Sequence, residues 1–276
     1  MPRPTPNYLW RKRATHEWLT GNELRLDVAT GGTHSIVEKP GMRRLQVEMF
    51  CPSPAVAEKL KQTFGGAIAE LPPDWHGQFL SARSMKPLRI GRRLVIASDP
   101  ADAADEAVLV IPAGAAFGTG DHATTAMSLR MLERVSRPLR AGWRMLDAGT
   151  GSGILALAGK RFGAASVLAI DNDPTAIATA RENARANGIT QVRFVVGDVK
   201  ASIAGSFDII TANLYSELLE EVLPQFRESL AGEGRMILSG VLRTQERQLV
   251  RALKANGFQV LEARRRGKWV ALLCRA

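Results

Sequence analysis

The chain of 276 residues contains only two cysteines, Cys51 and Cys274, which lie far apart in the sequence. Neither belongs to a motif with a second ligand, which argues against a disulfide framework and a structural zinc site, and we expect no bound metal. The chain also lacks a run of 18 apolar residues, which a membrane-spanning helix requires. Because its first seven residues lack the apolar core of a signal peptide, we expect a cytoplasmic protein without membrane contact.

Aromatic residues are few, at 6%, but apolar residues make up 45% of the chain and charged residues 23%. These proportions are those of a folded globular protein with a sizeable core. Lysine and arginine outnumber aspartate and glutamate by 37 to 27, and residues 1–100 hold 15 of the basic and nine of the acidic side chains. The net charge of +10 fits an acidic partner such as nucleic acid, and it equally fits a solvated basic surface.

The first 85 residues predict a small α+β domain. A proline-rich and then basic N-terminal arm opens it, and alternating apolar residues indicate strands at 24–28 and 45–49. Ser53 suits a helix N-cap and Pro54 the first helical position, so we expect a helix from here to the glycines that follow Phe64.

Residues 86–107 predict a connector, in which the segment 88–97 has the pattern of one strand. Over residues 108–276, strand-like and helix-like segments alternate as a parallel sheet requires. Two strand-like segments, Phe258–Glu262 and Trp269–Cys274, close the chain without room for a helix between them. They predict a hairpin, and hence one antiparallel strand at the end of a mainly parallel, Rossmann-like α/β sheet.

A glycine-rich loop follows the first strand of the regular alternation, in the segment Asp147-Ala148-Gly149-Thr150-Gly151-Ser152-Gly153. Glycines let the backbone turn sharply and approach a ligand, towards which the next helix points its free amide groups. A dinucleotide fingerprint needs a third small residue where this chain has Ile154. The pattern is instead typical of an S-adenosylmethionine site, with four predicted cofactor-binding residues: Asp147, Gly149, Gly151 and Gly153.

Two further carboxylates follow the next strands. Asp171 closes the second strand, where an acidic side chain can accept hydrogen bonds from both hydroxyl groups of a ribose. Asp198 follows the third strand and can meet an adenine amino group. Each also suits a turn or a helix cap, but both map to the carboxyl edge of the sheet, where open α/β sheets bind ligands.

Five segments together resemble the PrmA family, the bacterial methyltransferases that modify ribosomal protein eleven of the large subunit. These segments are Phe117–Thr125, Asp147–Gly153, Ile170–Pro174, Ala212–Leu214 and Leu238–Val241. The likeness extends from about Pro87 to the end of the chain and implies the seven-stranded class I methyltransferase fold. It also implies S-adenosylmethionine as cofactor, and a small front domain that recognises a protein substrate.

The resemblance also assigns individual residues. The cofactor contacts of the family fall on Thr125, Gly149, Asp171 and Asn213. Phe117 and His122 would lie beside the transferred methyl group, and with Asn213 they make up the predicted catalytic set. His122 is the leading candidate for positioning the acceptor or removing its proton, with Asp121 and Glu217 as the other titratable candidates.

The expected function is methyl transfer to lysine side chains of a protein, with a ribosomal protein as partner and non-specific contact with ribosomal RNA through the basic surface. The chain departs from the family at Asp121–Thr125 and at Asn213–Ser216, both beside the expected acceptor pocket. Another protein, a small molecule or a nucleic acid therefore stay open as substrates. Base methylation is disfavoured because both prolines of the Asn/Asp-Pro-Pro-Tyr/Phe motif are missing. A non-catalytic S-adenosylmethionine-binding module is the alternative from outside the enzymes.

Overall fold

The computed structural model describes residues 8–30, 34–37, 44–71, 87–98, 108–112 and 122–276. The chain divides into two compact units, residues 1–82 and residues 83–276. In the described part of the chain, no helix has the length and apolar character needed to span a membrane.

The described residues of the front unit form a four-stranded antiparallel sheet and two helices. Its elements are β1 (Tyr8–Ala14), α1 (His16–Thr30), β2 (Ser35–Val37), β3 (Leu45–Cys51), α2 (Pro54–Phe64) and β4 (Ala67–Glu70). The strand order β2-β3-β1-β4 and the succession βαββαβ are those of a ferredoxin-like domain. Trp10, Leu26 and Leu60 fill its core, because one apolar face of the sheet and of each helix must be buried.

The strand expected at 45–49 and the helix expected from Pro54 are confirmed. Ser53 caps α2 by accepting a hydrogen bond from the Val56 amide at 3.4 Å. The helix ends at Gly65, whose φ of +72° only glycine adopts without strain.

Two expectations for the front unit are wrong. Residues 8–14 are not part of an arm, since Trp10 and Ala14 are buried and anchor them as the central strand β1. Residues 24–28 are not a strand but the end of α1. Leu26 lies seven residues after Leu19 and four before Thr30, so all three share one helical face, and packing of this face outweighs the local alternation. Residues 1–7 of the expected arm lie outside the described residues.

The larger unit begins with a small sheet where the sequence predicted a connector. This sheet contains β5 (Leu88–Ile90), β6 (Leu94–Ala97) and β7 (Val108–Val110). The expected single strand at 88–97 is therefore a hairpin, whose turn contains Gly91 at a φ of +59°. Asn187 holds β7 in place, because its side chain bonds both the amide and the carbonyl group of Val110 at 2.7 Å.

The rest of the unit alternates between strands and helices. Its elements are α3 (Ala123–Ser136), β8 (Arg144–Ala148), α4 (Ile154–Arg161), β9 (Ser166–Asp171), α5 (Pro174–Ala186), β10 (Val192–Val196), β11 (Phe207–Asn213), α6 (Ser216–Ser229), β12 (Leu230–Leu242), α7 (Glu246–Ala255), β13 (Gln259–Arg266) and β14 (Trp269–Arg275). The order in the sheet is β10-β9-β8-β11-β12-β14-β13. This arrangement confirms the mainly parallel seven-stranded α/β sheet.

One detail of the terminal hairpin differs from the expectation. The antiparallel strand, β14, is not at the end of the sheet but lies between β12 and β13. The reason is burial: residues 270–274 of β14 are all buried, whereas β13 carries arginines that an edge strand can expose to solvent.

The order of the strands also creates the place for a site. From β8 the chain continues outwards to β9 and β10 on one side, while β11 and β12 lie on the other. The crevice at the carboxyl ends of β8 and β11 is therefore the topological switch point, where sheets of this kind bind ligands.

Candidate functional site

The glycine loop leaves β8 at this switch point. Gly149, Gly151 and Gly153 have φ angles of +72°, +54° and +82°, a region that residues with a Cβ rarely adopt. The Gly149 and Thr150 amides donate to the Ile170 carbonyl group at 2.8 and 3.0 Å, which ties the loop to β9. The loop conformation thus depends on its glycines and on the neighbouring strand.

Asp147 lies in β8, just before the loop, and its side chain is fully buried. Its two carboxylate oxygens accept hydrogen bonds from the Thr150 and Thr211 hydroxyl groups, both at 2.6 Å. Burial raises the pKa of Asp147 to about 6, although these two bonds act in the opposite direction. Asp147 therefore links the loop to β11 through these two hydrogen bonds.

Asp171 faces the loop from the end of β9. One of its oxygens accepts from the Gly151 amide at 2.8 Å and the other from the Asp173 amide at 3.0 Å. Because a carboxylate has about four acceptor positions, each oxygen can accept a further bond. Asp198 is exposed after β10, which pairs with β9, and it accepts from the Lys200 amide at 2.9 Å. Both carboxylates thus lie at the same edge of the sheet.

Asn213 and Thr125 meet on the other side of the loop. Asn213 ends β11 and Thr125 lies in the first turn of α3, and the Asn213 amide group donates to the Thr125 hydroxyl group at 3.4 Å. Asn213 Oδ1 is buried but has no hydrogen-bond partner among the described residues. Since an unpaired buried acceptor is costly, this oxygen is suited to accept a bond from a ligand.

His122 lies immediately before α3, as its N-cap residue. Its Nδ1 is 2.7 Å from the Thr124 hydroxyl oxygen, and its ring meets the Trp269 ring edge-on at a centroid distance of 4.9 Å. Burial, and secondarily the charge of Lys268, lower the pKa of His122. The imidazole is therefore mainly neutral at pH 7.

The remaining candidates are less well placed or lie outside the described residues. Glu217 is in the first turn of α6 and accepts a hydrogen bond from the Gln245 side chain at 3.1 Å. Phe117 and Asp121 lie outside the described part of the chain, so their assignments stay predictions.

Leu214 is a residue of this site that sequence reasoning missed. A Cβ on Gly149 would lie 2.3 Å from Leu214 Cδ2, and one on Gly240 would lie 2.3 Å from the Leu214 carbonyl oxygen. Leu214 is thus packed between two glycines, and its amide donates to the Ser239 carbonyl group at 3.0 Å. The glycines at 149 and 240 were the available signal, but only the fold shows that both contact the same residue.

The sequence profile of the family described as "Ribosomal protein L11 methyltransferase (PrmA)" matches residues 58–276. The chain belongs to this family. A ribosomal protein L11 methyltransferase from Pelobacter propionicus is 42% identical over 209 residues, which span 73% of this chain and 66% of that protein. One from Thermus thermophilus is 36% identical over 244 residues, which span 88% of this chain and 90% of that protein.

A solved structure supports the same family. The ribosomal protein L11 methylase of Lactobacillus delbrueckii subsp. bulgaricus has a TM-score of 0.61 and 32% identity, over 69% of this chain and 98% of that chain. The resemblance to the PrmA family is thereby confirmed, together with the class I methyltransferase fold. S-adenosylmethionine is the cofactor of this family.

The described residues fit this cofactor. S-adenosylmethionine carries hydroxyl, amino and ammonium groups that need hydrogen-bond acceptors. The site offers the unpaired Asn213 oxygen and the remaining acceptor positions of Asp171, and the exposed carboxylate of Asp198 lies at the same edge. A Cβ at position 149 would collide with Leu214, so the glycine at this position allows the loop to lie close to the end of β11.

Replacing Gly149 by Ala should destabilise the protein more than replacing Gly188 by Ala. Both glycines have positive φ angles, +72° and +63°, so each variant bears backbone strain of about 1–2 kcal/mol. Only the Cβ at position 149 also collides, with Leu214, whereas nothing lies within 4 Å of one at position 188. Urea unfolding of both variants measures the difference, and equal losses would contradict the close packing around Leu214.

Asp147→Asn should change how stability depends on pH. The folded pKa of about 6 lies above the unfolded value of about 3.9, so the folded state binds a proton more readily between these values. Wild-type stability from this group therefore rises as the pH falls from 7 to 5, by about 1 kcal/mol, while the amide variant lacks this gain. Unfolding free energies of both proteins at pH 7 and pH 5 give the comparison. A constant difference between the two proteins would show that burial does not raise this pKa.

Proposed function

We propose that this protein transfers methyl groups from S-adenosylmethionine to lysine amino groups of ribosomal protein L11. Homologues at 36–42% identity that are named for this activity support the proposal. The observation that carries it is the buried, unpaired Asn213 oxygen at the switch point, close to Thr125 and in the same region as the start of α3 with His122.

Within this proposal, the predicted cofactor-binding residues share the work. Asp171 accepts hydrogen bonds from the ribose hydroxyl groups, and Asp198 accepts one from the adenine amino group. The backbone of the glycine loop approaches the cofactor closely, and Asp147 supports that loop from below. The proposed cofactor set is Thr125, Asp147, Gly149, Gly151, Gly153, Asp171, Asp198 and Asn213.

The main chemical task of the protein is to supply an unprotonated amine. When bound, S-adenosylmethionine supplies an electrophilic methyl group on a sulfonium, and the acceptor nitrogen must offer its lone pair in line with the breaking bond. Removing the proton of a lysine with a pKa of about 10.4 costs about 4.6 kcal/mol at pH 7. Neutral His122 is suited to accept this proton at Nε2, in the tautomer in which Nδ1–H donates to Thr124. Phe117 and Asn213 complete the proposed catalytic set.

The front unit is the proposed substrate-recognition domain, with residues 1–85 as its predicted extent. Some of its basic side chains are engaged within the unit: Arg11 pairs with Glu48 at 2.8 Å, and the Lys12 ammonium lies 4.7 Å from the Trp18 ring centroid. The net charge of +10 supports a further, non-specific contact with ribosomal RNA.

The assay that tests the function mixes the purified protein with labelled S-adenosylmethionine and either L11, a second ribosomal protein or ribosomal RNA. We expect label in L11, and mass spectrometry of its peptides should place the added methyl groups on lysine. Label confined to the RNA, or to the second protein, would contradict the proposal. His122→Ala should lower kcat on L11 by about 100-fold or more, the contribution typical of a general base.

Asp171→Asn tests the cofactor site separately. The variant loses the charge that strengthens hydrogen bonds to the ribose, so its affinity for S-adenosylmethionine should fall by about 1.5–3 kcal/mol, or 10-fold to 150-fold. Asp208→Asn is the matched control, because Asp208 also accepts a backbone hydrogen bond, from the Arg144 amide at 2.7 Å, but near the opposite ends of β8 and β11. Isothermal titration calorimetry measures both variants, and an unchanged affinity of Asp171→Asn would refute the ribose assignment.

A further inference from the structure

We infer that the turn between β13 and β14 belongs to the acceptor site, where Trp269 and Lys268 are positioning residues for His122. The role of this turn in catalysis rests on the proposed function. The contact between the His122 and Trp269 rings does not rest on it, because this contact is a property of the folded chain. The ring centroids are 4.9 Å apart and the ring planes are inclined by 68°. This edge-on arrangement is a favourable one for aromatic rings, so the indole restricts the orientation of the imidazole.

The direction of β14 explains why residues so far apart in the sequence meet. Trp269 begins β14 and pairs with Leu242, the last residue of β12. An antiparallel strand begins where its parallel neighbours end, so Trp269 lies at the carboxyl edge of the sheet. The Arg243 amide donates to the Lys268 carbonyl group at 2.8 Å and holds the turn there. Since α3 packs on β12 and β14, its first turn meets this turn at the same edge.

The surroundings of His122 disfavour its charged form. The ring is partly buried, and the Lys268 ammonium group lies 5.5 Å from the centroid of the same Trp269 ring that contacts the imidazole. The N-terminus of α3 adds a positive partial charge. Thr124, whose hydroxyl group shares a hydrogen bond with the ring, is neutral.

The charge of Lys268 acts on an incoming ammonium group as it does on His122. Like charges repel, so the ammonium form of the acceptor is destabilised here and loses its proton more readily than in water.

The positioning has a chemical consequence for successive turnovers. The proton leaves the acceptor nitrogen for His122 Nε2, and the nitrogen lone pair forms the new bond to carbon while the carbon–sulfur bond breaks. The charge of Lys268 disfavours the imidazolium that results, so the ring releases its proton to water readily and is again a base. Without Lys268, we expect a larger fraction of His122 to stay protonated below pH 7.

Nuclear magnetic resonance of the full chain measures the pKa of His122 directly. The chain has only four histidines, so comparison with His122→Asn assigns the imidazole signal. Lys268→Gln should raise the His122 pKa by about 0.5 unit or more, because it removes one positive charge that acts on the imidazole. Lys254→Gln, near the end of α7, removes an equal charge elsewhere and should leave this pKa unchanged.

Trp269 is tested by two substitutions. Trp269→Leu places a smaller side chain beside the imidazole, so water reaches the ring more easily and the His122 pKa should rise. Trp269→Phe keeps an aromatic ring in this position, so its His122 pKa should stay near the wild-type value. Should Trp269→Leu fail to fold, Trp269→Phe and Lys268→Gln still decide the question. A His122 pKa that is the same in wild type and Lys268→Gln overturns the inference.

The pH dependence of kcat on L11 separates this inference from the proposed function. In Lys268→Gln, the acidic limb of the pH profile of kcat should move to higher pH by as much as the measured His122 pKa rises, while KM changes less than two-fold. If the His122 pKa shifts but the acidic limb of the kcat profile does not, the catalytic role of the turn is overturned. If no variant and no wild-type protein methylates L11, yet the pKa still shifts, the proposed function fails and the contact between the turn and His122 stands.

Discussion

The site depends on the close packing of Leu214 between Gly149 and Gly240. At either glycine, a side chain would come within 2.3 Å of Leu214. This contact fixes three pieces of chain relative to one another: the loop after β8, the end of β11 that carries Asn213, and the end of β12. Because protein interiors are close-packed, the contact cannot loosen in one piece without moving the others.

The buried carboxylate of Asp147 also holds the loop after β8 against β11, and at neutral pH its charge is costly to bury. Its hydrogen bonds to Thr150 and Thr211 partly offset this cost, and they connect the loop to β11. The charges around His122 have the opposite sign: Lys268 and the start of α3 disfavour positive charge on the imidazole. A negative group thus shapes the cofactor side, while positive groups shape the side where an amine must lose its proton.

Local sequence patterns predicted the parallel strands and their helices well, because β9, β10 and β11 are short apolar segments with glycine or polar residues at their ends. Patterns failed where packing decided the outcome. The alternation at 24–28 indicated a strand, but Leu26 had to face the core together with Leu19 and Thr30, which only a helix allows. The basic residues around Trp10 indicated an arm, yet burial of this one indole made the segment the centre of a sheet.

Residues within a few positions of one another were enough to predict the α/β class, the glycine loop and the acidic residues that follow β9 and β10. The sequence also carried the motifs of the PrmA family. Three features could be seen only in the folded chain: β14 lies inside the sheet, Leu214 packs between two glycines, and the Trp269 ring contacts the His122 ring. These contacts join segments that are distant in the chain, and they form because one strand runs against its neighbours and brings its first residue to the edge where the others end.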